Sequence, residues 1–231
     1  MESNQFSRTE LLIGKDGIKK LQKSKVAVFG VGGVGSFVVE GLARAGVGHF
    51  ALIDYDKYDI TNINRQIGAL HSTIGKYKVE VMKERILDIN PDAIVETYKP
   101  DEIPGGETSI IDNTFTYVVD AIDTMTNKIK LIEKAYEENV QIITATGTGN
   151  KLDPTKFEIT DIYKTSVCPV CKILRKELKK RNIKKLKVLY SKEMPQKIET
   201  HGESVLGSIS FVPAVAGFIV AGEVVKDIIG F

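Results

Sequence analysis

The sequence predicts an α/β fold in which a mostly parallel sheet carries helices on both faces, with a decorated C-terminal third. Short, almost continuously apolar segments such as Val26–Phe29 alternate with segments whose apolar residues recur at helical spacing. Strands that are apolar on both faces are typical of parallel sheets covered by helices. The 231 residues, 42% hydrophobic and 27% charged, suffice for one large domain and exclude disordered, collagen-like and coiled-coil proteins.

The first 150 residues show the clearest alternation. An apolar segment bounded by glycine or polar residues predicts a strand, and apolar residues three or four positions apart predict a helix. The predicted strands are Val26–Phe29, His49–Asp54, Ala93–Tyr98, Tyr117–Ala121 and Val140–Thr144. The predicted helices begin after Gly35, span Val79–Ile89 and span Asn127–Glu137.

The pattern changes after Lys151. It predicts a strand at Lys156–Thr160, a basic helix at Cys168–Lys180, a strand at Lys187–Ser191 and a polar loop that runs to Ser204. A loop of this length in a compact domain is often a mobile lid. We expect a single domain, 1–231, in which residues 151–231 extend a core formed by residues 1–150.

The segment Val205–Gly222 carries no charge and borders on the length of a membrane-spanning helix. It contains Pro213 and several serine and glycine residues, and Glu223 follows at once. Because proline suits the first turn of a helix, we expect a loop and then a buried helix that starts near Pro213, with no integral membrane insertion.

Cys168 and Cys171 are the only cysteines, which excludes a disulfide framework and favours a reduced, cytoplasmic protein. The first ten residues are polar and show no apolar signal-peptide segment. The net charge, 32 − 30 = +2, gives no information about partners.

A glycine-rich segment lies between the first predicted strand and the first predicted helix, at Gly30, Gly32, Gly33 and Gly35. Glycines there allow a tight turn and a close approach of phosphate to the backbone, and the helix N-terminus favours anions. Asp54 ends the next strand and is placed to accept hydrogen bonds from ribose hydroxyls. The pattern predicts a Rossmann-like adenine-nucleotide site but does not choose between NAD, FAD and ATP.

The loops that follow the strands favour ATP. Arg65 and Lys78 supply fixed cations beside the predicted phosphate site, which suit the charge that develops in adenylyl transfer better than hydride transfer. Asp123 follows another strand on the same edge of the sheet, where a carboxylate can hold Mg²⁺ against phosphates.

The chain resembles the ThiF/MoeB/HesA superfamily, the ubiquitin-activating-type adenylating enzymes, in five segments: GVGGVGS, LIDYD, NINRQ, GKYK and VVDAIDT. The resemblance implies ATP as substrate, with Asp54 on the ribose and Asp123 on magnesium. It places Asn62, Arg65 and Lys78 on the triphosphate, with Lys78 rather than Lys76 as the family lysine. The nucleotide site would then comprise Gly30, Gly32, Gly33, Gly35, Asp54, Asp56, Asn62, Arg65 and Lys78.

The N-terminal segment Phe6-Ser7-Arg8 resembles the place where this superfamily supplies an arginine to the ATP of the neighbouring subunit. The resemblance therefore implies a homodimer in which Arg8 acts in trans. The catalytic residues would be Arg8, Arg65, Lys78 and Asp123.

The C-terminal third is similar to the tRNA threonylcarbamoyladenosine dehydratases at Lys164-Thr165, in the proline-led basic helix and at Val188–Glu193. This similarity implies adenylation of the threonyl carboxylate in tRNA, followed by ring closure and release of AMP. The sulfur-carrier activators usually carry two Cys-x-x-Cys pairs that bind zinc. This chain has one pair, and His49, His71 and His201 stand at no ligand-like spacing from it, so we expect no zinc.

The segment from Lys172 to Lys187 contains nine basic residues and one acidic residue, a net charge of 9 − 1 = +8. Such a helix tolerates its self-repulsion best when phosphates neutralise it, which favours a polyanionic partner. We expect contacts to tRNA from Lys176, Lys179, Lys180, Arg181 and Lys184.

Four alternatives remain open at this stage. The chain could activate the C-terminal glycine of a sulfur-carrier protein, act as a nicotinamide- or flavin-dependent oxidoreductase, or bind nucleotide without catalysis. Cys168 could also form a thioester, although a catalytic cysteine needs an activating neighbour and a structural pair at a helix start is the simpler interpretation.

Overall fold

A computed structural model describes residues 4–99, 103, 105–200, 203–204 and 206–231. Its centre is a seven-stranded sheet in the order β3-β2-β1-β4-β5-β7-β6. All neighbouring strands are parallel except β6 and β7, which are antiparallel. The strands are β1 (Lys25–Phe29), β2 (His49–Ile53), β3 (Ile94–Tyr98), β4 (Tyr117–Asp120), β5 (Gln141–Ala145), β6 (Phe157–Asp161) and β7 (Lys187–Ser191). The predicted mostly parallel α/β fold is confirmed, with every predicted strand present within one residue of its expected bounds.

Six α-helices cover the sheet in the described part of the chain. They are α1 (Ser7–Lys23), α2 (Gly35–Ala45), α3 (Lys78–Ile89), α4 (Met125–Glu137), α5 (Pro169–Lys180) and α6 (Phe211–Ile229). Helix α1, which packs against α6 and α2, was not predicted from the sequence.

Each face of the sheet presents apolar side chains, and a layer of helices covers each face. Val26 and Val28 of β1 belong to the core beneath α2, α3 and α6, whereas Ala27 and Phe29 belong to the core beneath α4 and α5. Successive side chains of a strand point to opposite faces, so an uninterrupted apolar strand builds both cores at once.

The C-terminal third departs from its prediction in one respect. The predicted polar loop contains a short antiparallel hairpin, β8 (Glu199–Thr200) and β9 (Glu203–Ser204). Residues 201–202 and 205 lie outside the described residues, so a lid role for this segment stays a prediction.

Helix α6 begins two residues before Pro213 and is the buried helix expected there. Gly217 of α6 lies so close to α2 that a Cβ atom would stand 2.5 Å from the carbonyl oxygen of Val34. Among the described residues, no helix combines the length and apolar character needed to cross a bilayer.

Candidate active site

The glycine-rich turn connects β1 to α2. Gly30 has a φ of 84°, and a Cβ atom on it would stand 2.6 Å from the carbonyl oxygen of Ala121. A Cβ atom on Gly35 would lie 1.8 Å from the carbonyl oxygen of Gly30. Larger residues are therefore excluded at both positions, and the N-terminus of α2 stays open to an anion.

A cleft of about 500 Å³ lies over this turn, at the carboxyl ends of the strands. It is centred where β1 meets β4, the point at which the chain reverses the direction in which it adds strands, and ligands of open α/β sheets bind at such points. The predicted residues that line the cleft are Gly30, Gly32, Gly33, Asp54, Asp56, Asn62, Arg65, Lys78 and Asp123. Of the predicted nucleotide residues, Gly35 alone is absent from the lining, because it is buried in the first turn of α2.

Asp54 connects the turn to the neighbouring strand. Its Oδ2 accepts a hydrogen bond from the Val31 backbone N–H at 2.7 Å, and its Oδ1 accepts one from the Asp56 N–H at 2.8 Å. Burial raises the pKa of Asp54, and the nearby Lys78 ammonium opposes that rise. The carboxylate thus fixes the glycine turn as well as facing the cleft.

Lys78 is the first residue of α3, and only 5% of it is exposed. Its Nζ lies 2.6 Å from Asp56 Oδ2 and 3.9 Å from Asp54 Oδ1. The two carboxylates hold the ammonium at the floor of the cleft. Asp56 is therefore the direct partner of Lys78 here.

Arg65 and Asn62 are positioned by a 3₁₀ turn at Ile60–Asn62. Asn62 Oδ1 accepts a hydrogen bond from the Asp59 N–H at 3.1 Å, which closes a capping box. Arg65 Nη1 donates to the Thr61 carbonyl and to Asn64 Oδ1, both at 2.9 Å. Within the described residues, Nε and Nη2 of Arg65 have no hydrogen-bond partner, so the guanidinium is anchored at one nitrogen and can bind with the others.

Two aspartates have different environments: Asp120 is the last residue of β4, and Asp123 lies in the loop that follows. Asp123 is exposed at the cleft, where Thr124 Oγ1 donates to it at 3.2 Å. Asp120 is fully buried; Lys128 Nζ donates to it at 2.8 Å and Thr144 Oγ1 at 3.0 Å. Sequence analysis missed the role of Asp120, although a carboxylate at the end of an apolar strand requires a buried partner.

The donor set at Asp123 suits magnesium held mainly by phosphates. In the part of the chain that the structure describes, no three histidine, cysteine or acidic residues group as metal ligands. Mg²⁺ commonly binds one or two carboxylates together with substrate phosphates and water, so a single carboxylate at the cleft fits it.

Residues beyond the predicted set complete the cleft. Glu107 and Asn127 line one wall, and burial, together with the charges of Asp120 and Asp54, raises the pKa of Glu107. The rest of this lining comes from the loop after β5 and from the C-terminal third: Thr148, Gly149, Leu206, Gly207, Ser208 and Pro213. Apart from Pro213, which marked a helix start, these residues carried no signal in the sequence, because they meet the cleft only through tertiary packing.

With this geometry in place, the comparison with known families is decisive: the ThiF family profile matches residues 6–231. The chain belongs to the ThiF family. The tRNA threonylcarbamoyladenosine dehydratase of Bacillus subtilis is 44% identical over 98% of this chain and 95% of its own length. The E. coli tRNA N6-threonylcarbamoyladenosine dehydratase, solved in complex with ATP, superposes with a TM-score of 0.85 at 33% identity, covering 98% of this chain and 94% of that one.

A relative named for sulfur transfer is more distant. The adenylyltransferase and sulfurtransferase UBA4 of Vanderwaltozyma polyspora is 33% identical over 60% of this chain and 31% of its own length. The comparisons thus confirm the predicted family and favour its dehydratase branch.

Arg8 of this ThiF-family chain lies exposed in the first turn of α1. It is not among the residues that line the cleft of its own chain. Its predicted contact with ATP therefore requires a second subunit and stays a prediction.

The basic segment of this ThiF-family chain is less uniformly charged in three dimensions than along the sequence. Glu177 binds Lys180 at 2.7 Å and Arg181 at 2.8 Å, and Arg181 also reaches Glu133 at 2.8 Å. Lys187 is bound by Glu223 and Asp227 of α6. The basic residues that are exposed and form no salt bridge within the described part of the chain are Lys172, Lys176, Lys179, Lys184 and Lys185.

Cys168 and Cys171 are buried free thiols at the start of α5. His201 lies outside the described residues, so the expectation of no zinc stays a prediction.

Proposed function

We propose that this chain is an ATP-dependent tRNA threonylcarbamoyladenosine dehydratase. It adenylates the threonyl carboxylate of the modified nucleoside, releases pyrophosphate, and closes a ring with release of AMP. The observation that carries this proposal is the convergence of the glycine turn, Asp54, Arg65 and Lys78 in one cleft of a chain that matches dehydratases over nearly its whole length.

ATP binds in the cleft with its ribose at Asp54 and its phosphates at the N-terminus of α2. Asp54 accepts hydrogen bonds from the ribose hydroxyls, and the phosphates lie against the N-terminus of α2, whose free N–H groups and dipole favour anions. Asn62, Arg65 and Lys78 line the phosphate end of the cleft. Lys78 keeps Asp56 as its counterion until the phosphates arrive, so the ammonium is held in position before ATP binds.

Asp123 holds Mg²⁺ in this proposal. When bound, the ion neutralises charge on the phosphate oxygens. The exposed carboxylate of Asp123 lines the same cleft as Arg65 and Lys78, in the loop that follows β4.

In the first step, a threonyl carboxylate oxygen attacks the α-phosphorus and the bond to pyrophosphate breaks. Negative charge grows on the α-phosphate oxygens and on the departing pyrophosphate, where Arg65 and Lys78 stabilise it. In the second step, the carbamoyl group of the same substrate attacks the activated carbonyl, loses its proton and expels AMP. Because both groups belong to one substrate, this step is intramolecular and requires no protein nucleophile.

The tRNA contacts α5 in this proposal. The helix starts beside the carboxyl edge of the sheet, near Gly147, and its 12 residues run towards the opposite edge over about 18 Å. Lys176 and Lys179 lie on this helix and Lys184 follows it, as exposed cations that can bind phosphates on either side of the modified nucleoside. Residues 151–231 thus form the substrate side of the domain, and the enzyme acts on tRNA in the cytoplasm.

The active unit is a homodimer in this proposal. Leu11 and Leu12 of α1, three and four residues after Arg8, are 78% and 87% exposed. A second copy of this chain would cover these leucines and bring Arg8 to the cleft of its partner.

The test is substrate-dependent formation of AMP and pyrophosphate from ATP. We expect turnover with tRNA that carries threonylcarbamoyladenosine, and none with unmodified tRNA. Turnover with a sulfur-carrier protein ending in glycine, and not with modified tRNA, would overturn the proposal.

A further inference from the structure

The cysteine pair is set apart from the rest of the core by its surroundings. Cys168 is the N-cap residue of α5, and Pro169 is the first residue of the helix. Cys171 is one turn further on, fully buried, with Thr146 Oγ1 3.3 Å from its sulfur. The two thiols therefore stand at the start of a helix, three residues apart, which is the arrangement of dithiols that exchange with disulfides.

A buried cation lies beside the first thiol. Only 4% of Lys151 is exposed, and its Nζ donates to the Gly147 carbonyl. A Cβ atom on Gly147 would stand 3.0 Å from Cys168 Sγ and 3.2 Å from Lys151 Nζ, so the sulfur and the ammonium flank the same point. Lys151 forms no salt bridge with a carboxylate in the described part of the chain, which leaves Cys168 as an available counterion.

The electrostatics of the pair follow from this arrangement. Hydrogen bonding from Cys171 holds the pKa of Cys168 well below its usual range, and the charge of Lys151 lowers it further. Cys171 has the opposite shift: its contact with Cys168, together with burial, raises its pKa. Cys168, which lies beside Lys151 at the N-terminus of α5, is therefore the thiol with the lower pKa of the two.

The backbone before Cys168 is strained. Val167 has a φ of 60°, and the Cys168 N–H donates to the Ser166 carbonyl at 2.5 Å, which makes a tight three-residue turn. A β-branched residue with positive φ is unfavourable, and such strain concentrates at functional positions. Ser166, Val167 and Pro169 are all exposed and Cys168 itself is 3% exposed, so the turn that carries Cys168 lies at the protein surface.

We propose that Cys168 and Cys171 form a thiol–disulfide exchange site, in which Cys168 attacks a disulfide of a small thiol and Cys171 resolves the mixed disulfide. In the first step, the Cys168 thiolate bonds to one sulfur of the disulfide and the other leaves as a thiolate. In the second, Cys171 attacks the Cys168 sulfur, the bond between Cys168 and the external sulfur breaks, and that sulfur leaves with the proton of Cys171. The pair is oxidised to an internal disulfide, and one external disulfide is reduced to two thiols.

This inference does not depend on the proposed function, because the chemistry is measured by mass. The reduced full chain is treated with oxidised glutathione, quenched with acid and weighed intact. We expect the wild type to lose two hydrogens without retaining glutathione, because no other cysteine is present. Cys171→Ser should accumulate one glutathione adduct, since serine keeps a donor to Cys168 but cannot resolve the adduct.

Cys168→Ser is the matched variant for the identity of the nucleophile. Its remaining thiol, Cys171, should react at least about tenfold more slowly than Cys168 does in Cys171→Ser, because less of it is ionised. Equal rates in the two variants, or a wild type that forms the disulfide only in denaturant, would overturn the proposal.

Lys151 is tested in the Cys171→Ser background. Lys151→Met should slow adduct formation about tenfold at neutral pH and move the pH midpoint of Cys168 alkylation upward. Lys156→Met, which removes an exposed lysine paired with Asp153, is the control and should change neither. If Lys151→Met unfolds the chain, the pH midpoint of Cys168 alkylation in the Cys171→Ser protein decides by itself. A midpoint at or above the pKa of a free thiol, about 8.5, would overturn the proposal.

Discussion

Lys78 and Arg65 differ in how the protein holds them, and this difference bears on what each does for a phosphate. Lys78 is buried and fixed between two carboxylates, whereas Arg65 is anchored through one nitrogen and keeps two others for a ligand. A fixed ammonium provides charge at one point, and a guanidinium grips oxygens as a fork.

Replacement of either cation tests its role. We expect Lys78→Ala and Arg65→Ala each to lower AMP production about 10²-fold or more, because each removes stabilisation of the charge that grows in the transition state. Lys83→Ala, on the same helix as Lys78 but outside the cleft, is the matched control and should retain activity. Near-normal AMP production by either cleft variant would show that its residue does not stabilise the transition state.

Asp120, at the end of β4, and Asp123, in the loop after it, show how far the site could be predicted residue by residue. The sequence placed Asp123 at the cleft because it follows a strand, and the structure has it there. It did not separate Asp123 from Asp120, because the partners of Asp120 lie 8 and 24 residues away and meet it only in the folded chain. The magnesium role of Asp123 stays a prediction.

At the scale of elements, α2 and α3 are joined by Glu40. This residue is 4% exposed and accepts hydrogen bonds from Arg85 on α3 and Arg44 on its own helix, at 2.5 Å and 2.7 Å. Burial raises the pKa of Glu40, but the hydrogen bonds from Arg85 and Arg44 outweigh it and hold the pKa below its usual value. Helix α2 begins after the glycine turn and α3 begins at Lys78, so both helices start at the cleft. The contact between Glu40 and Arg85 therefore joins two helices that position cleft residues.

The lowered pKa makes stability depend on pH in a defined direction. The contribution of Glu40 is present above the pKa of an unfolded glutamate and is lost as the pH falls through the folded pKa. We expect Glu40→Gln to lower the free energy of unfolding by about 2 kcal/mol at neutral pH, and the difference from wild type to shrink in acid. Denaturant unfolding at several pH values measures it. Glu84→Gln, an exposed change on α3, should be neutral, and a Glu40→Gln difference that is constant across pH would contradict the assignment.

Helix α5 shows where a charge count along the sequence misleads. Lys187 and Arg181 are bound by acidic residues from α6 and α4, so the balance of +8 overstates the cationic surface. The unpaired lysines are the better candidates for phosphate contacts.

We expect the double change Lys176→Glu, Lys184→Glu to weaken tRNA binding at least tenfold and to reduce the slope of log affinity against log salt by about two, one per lost phosphate contact. The same charge change on the other face of the sheet, Lys19→Glu with Lys23→Glu, is the control. ATP affinity should stay unchanged in both proteins. If binding of tRNA falls equally in the two variants, the effect is one of net charge and α5 is not the contact.

For the whole molecule, the fold was the most predictable feature. Apolar segments such as Val26–Phe29 form strands that must be buried on both faces. A parallel sheet with helices on both faces is the fold class that buries them in this way. Helix α1 was missed because Gly14, with a φ of 71°, interrupts it: Leu11 and Leu12 before the interruption are exposed, and only the short segment after it, with Leu21, is buried. The wall that the C-terminal third contributes to the cleft was missed because long-range packing places it.

The exposed leucines of α1 and the position of Arg8 lead to a prediction about assembly. Arg8→Ala and Lys78→Ala proteins should each be nearly inactive, and mixing them should restore part of the activity, since a mixed dimer contains one intact composite site. AMP production after subunit exchange measures this. A chain that sediments as a monomer at micromolar concentration, or a mixture without recovery, would remove Arg8 from the site.

The central claim is that the threonyl carboxylate is adenylated, and the transfer of its oxygen tests this most directly. The modified tRNA is prepared with a heavy oxygen isotope in both carboxylate oxygens, and the products of one turnover with ATP are weighed. The account predicts that AMP carries one heavy oxygen and that the nucleoside has lost water while keeping the other. Unlabelled AMP, or ADP in place of AMP and pyrophosphate, would contradict it.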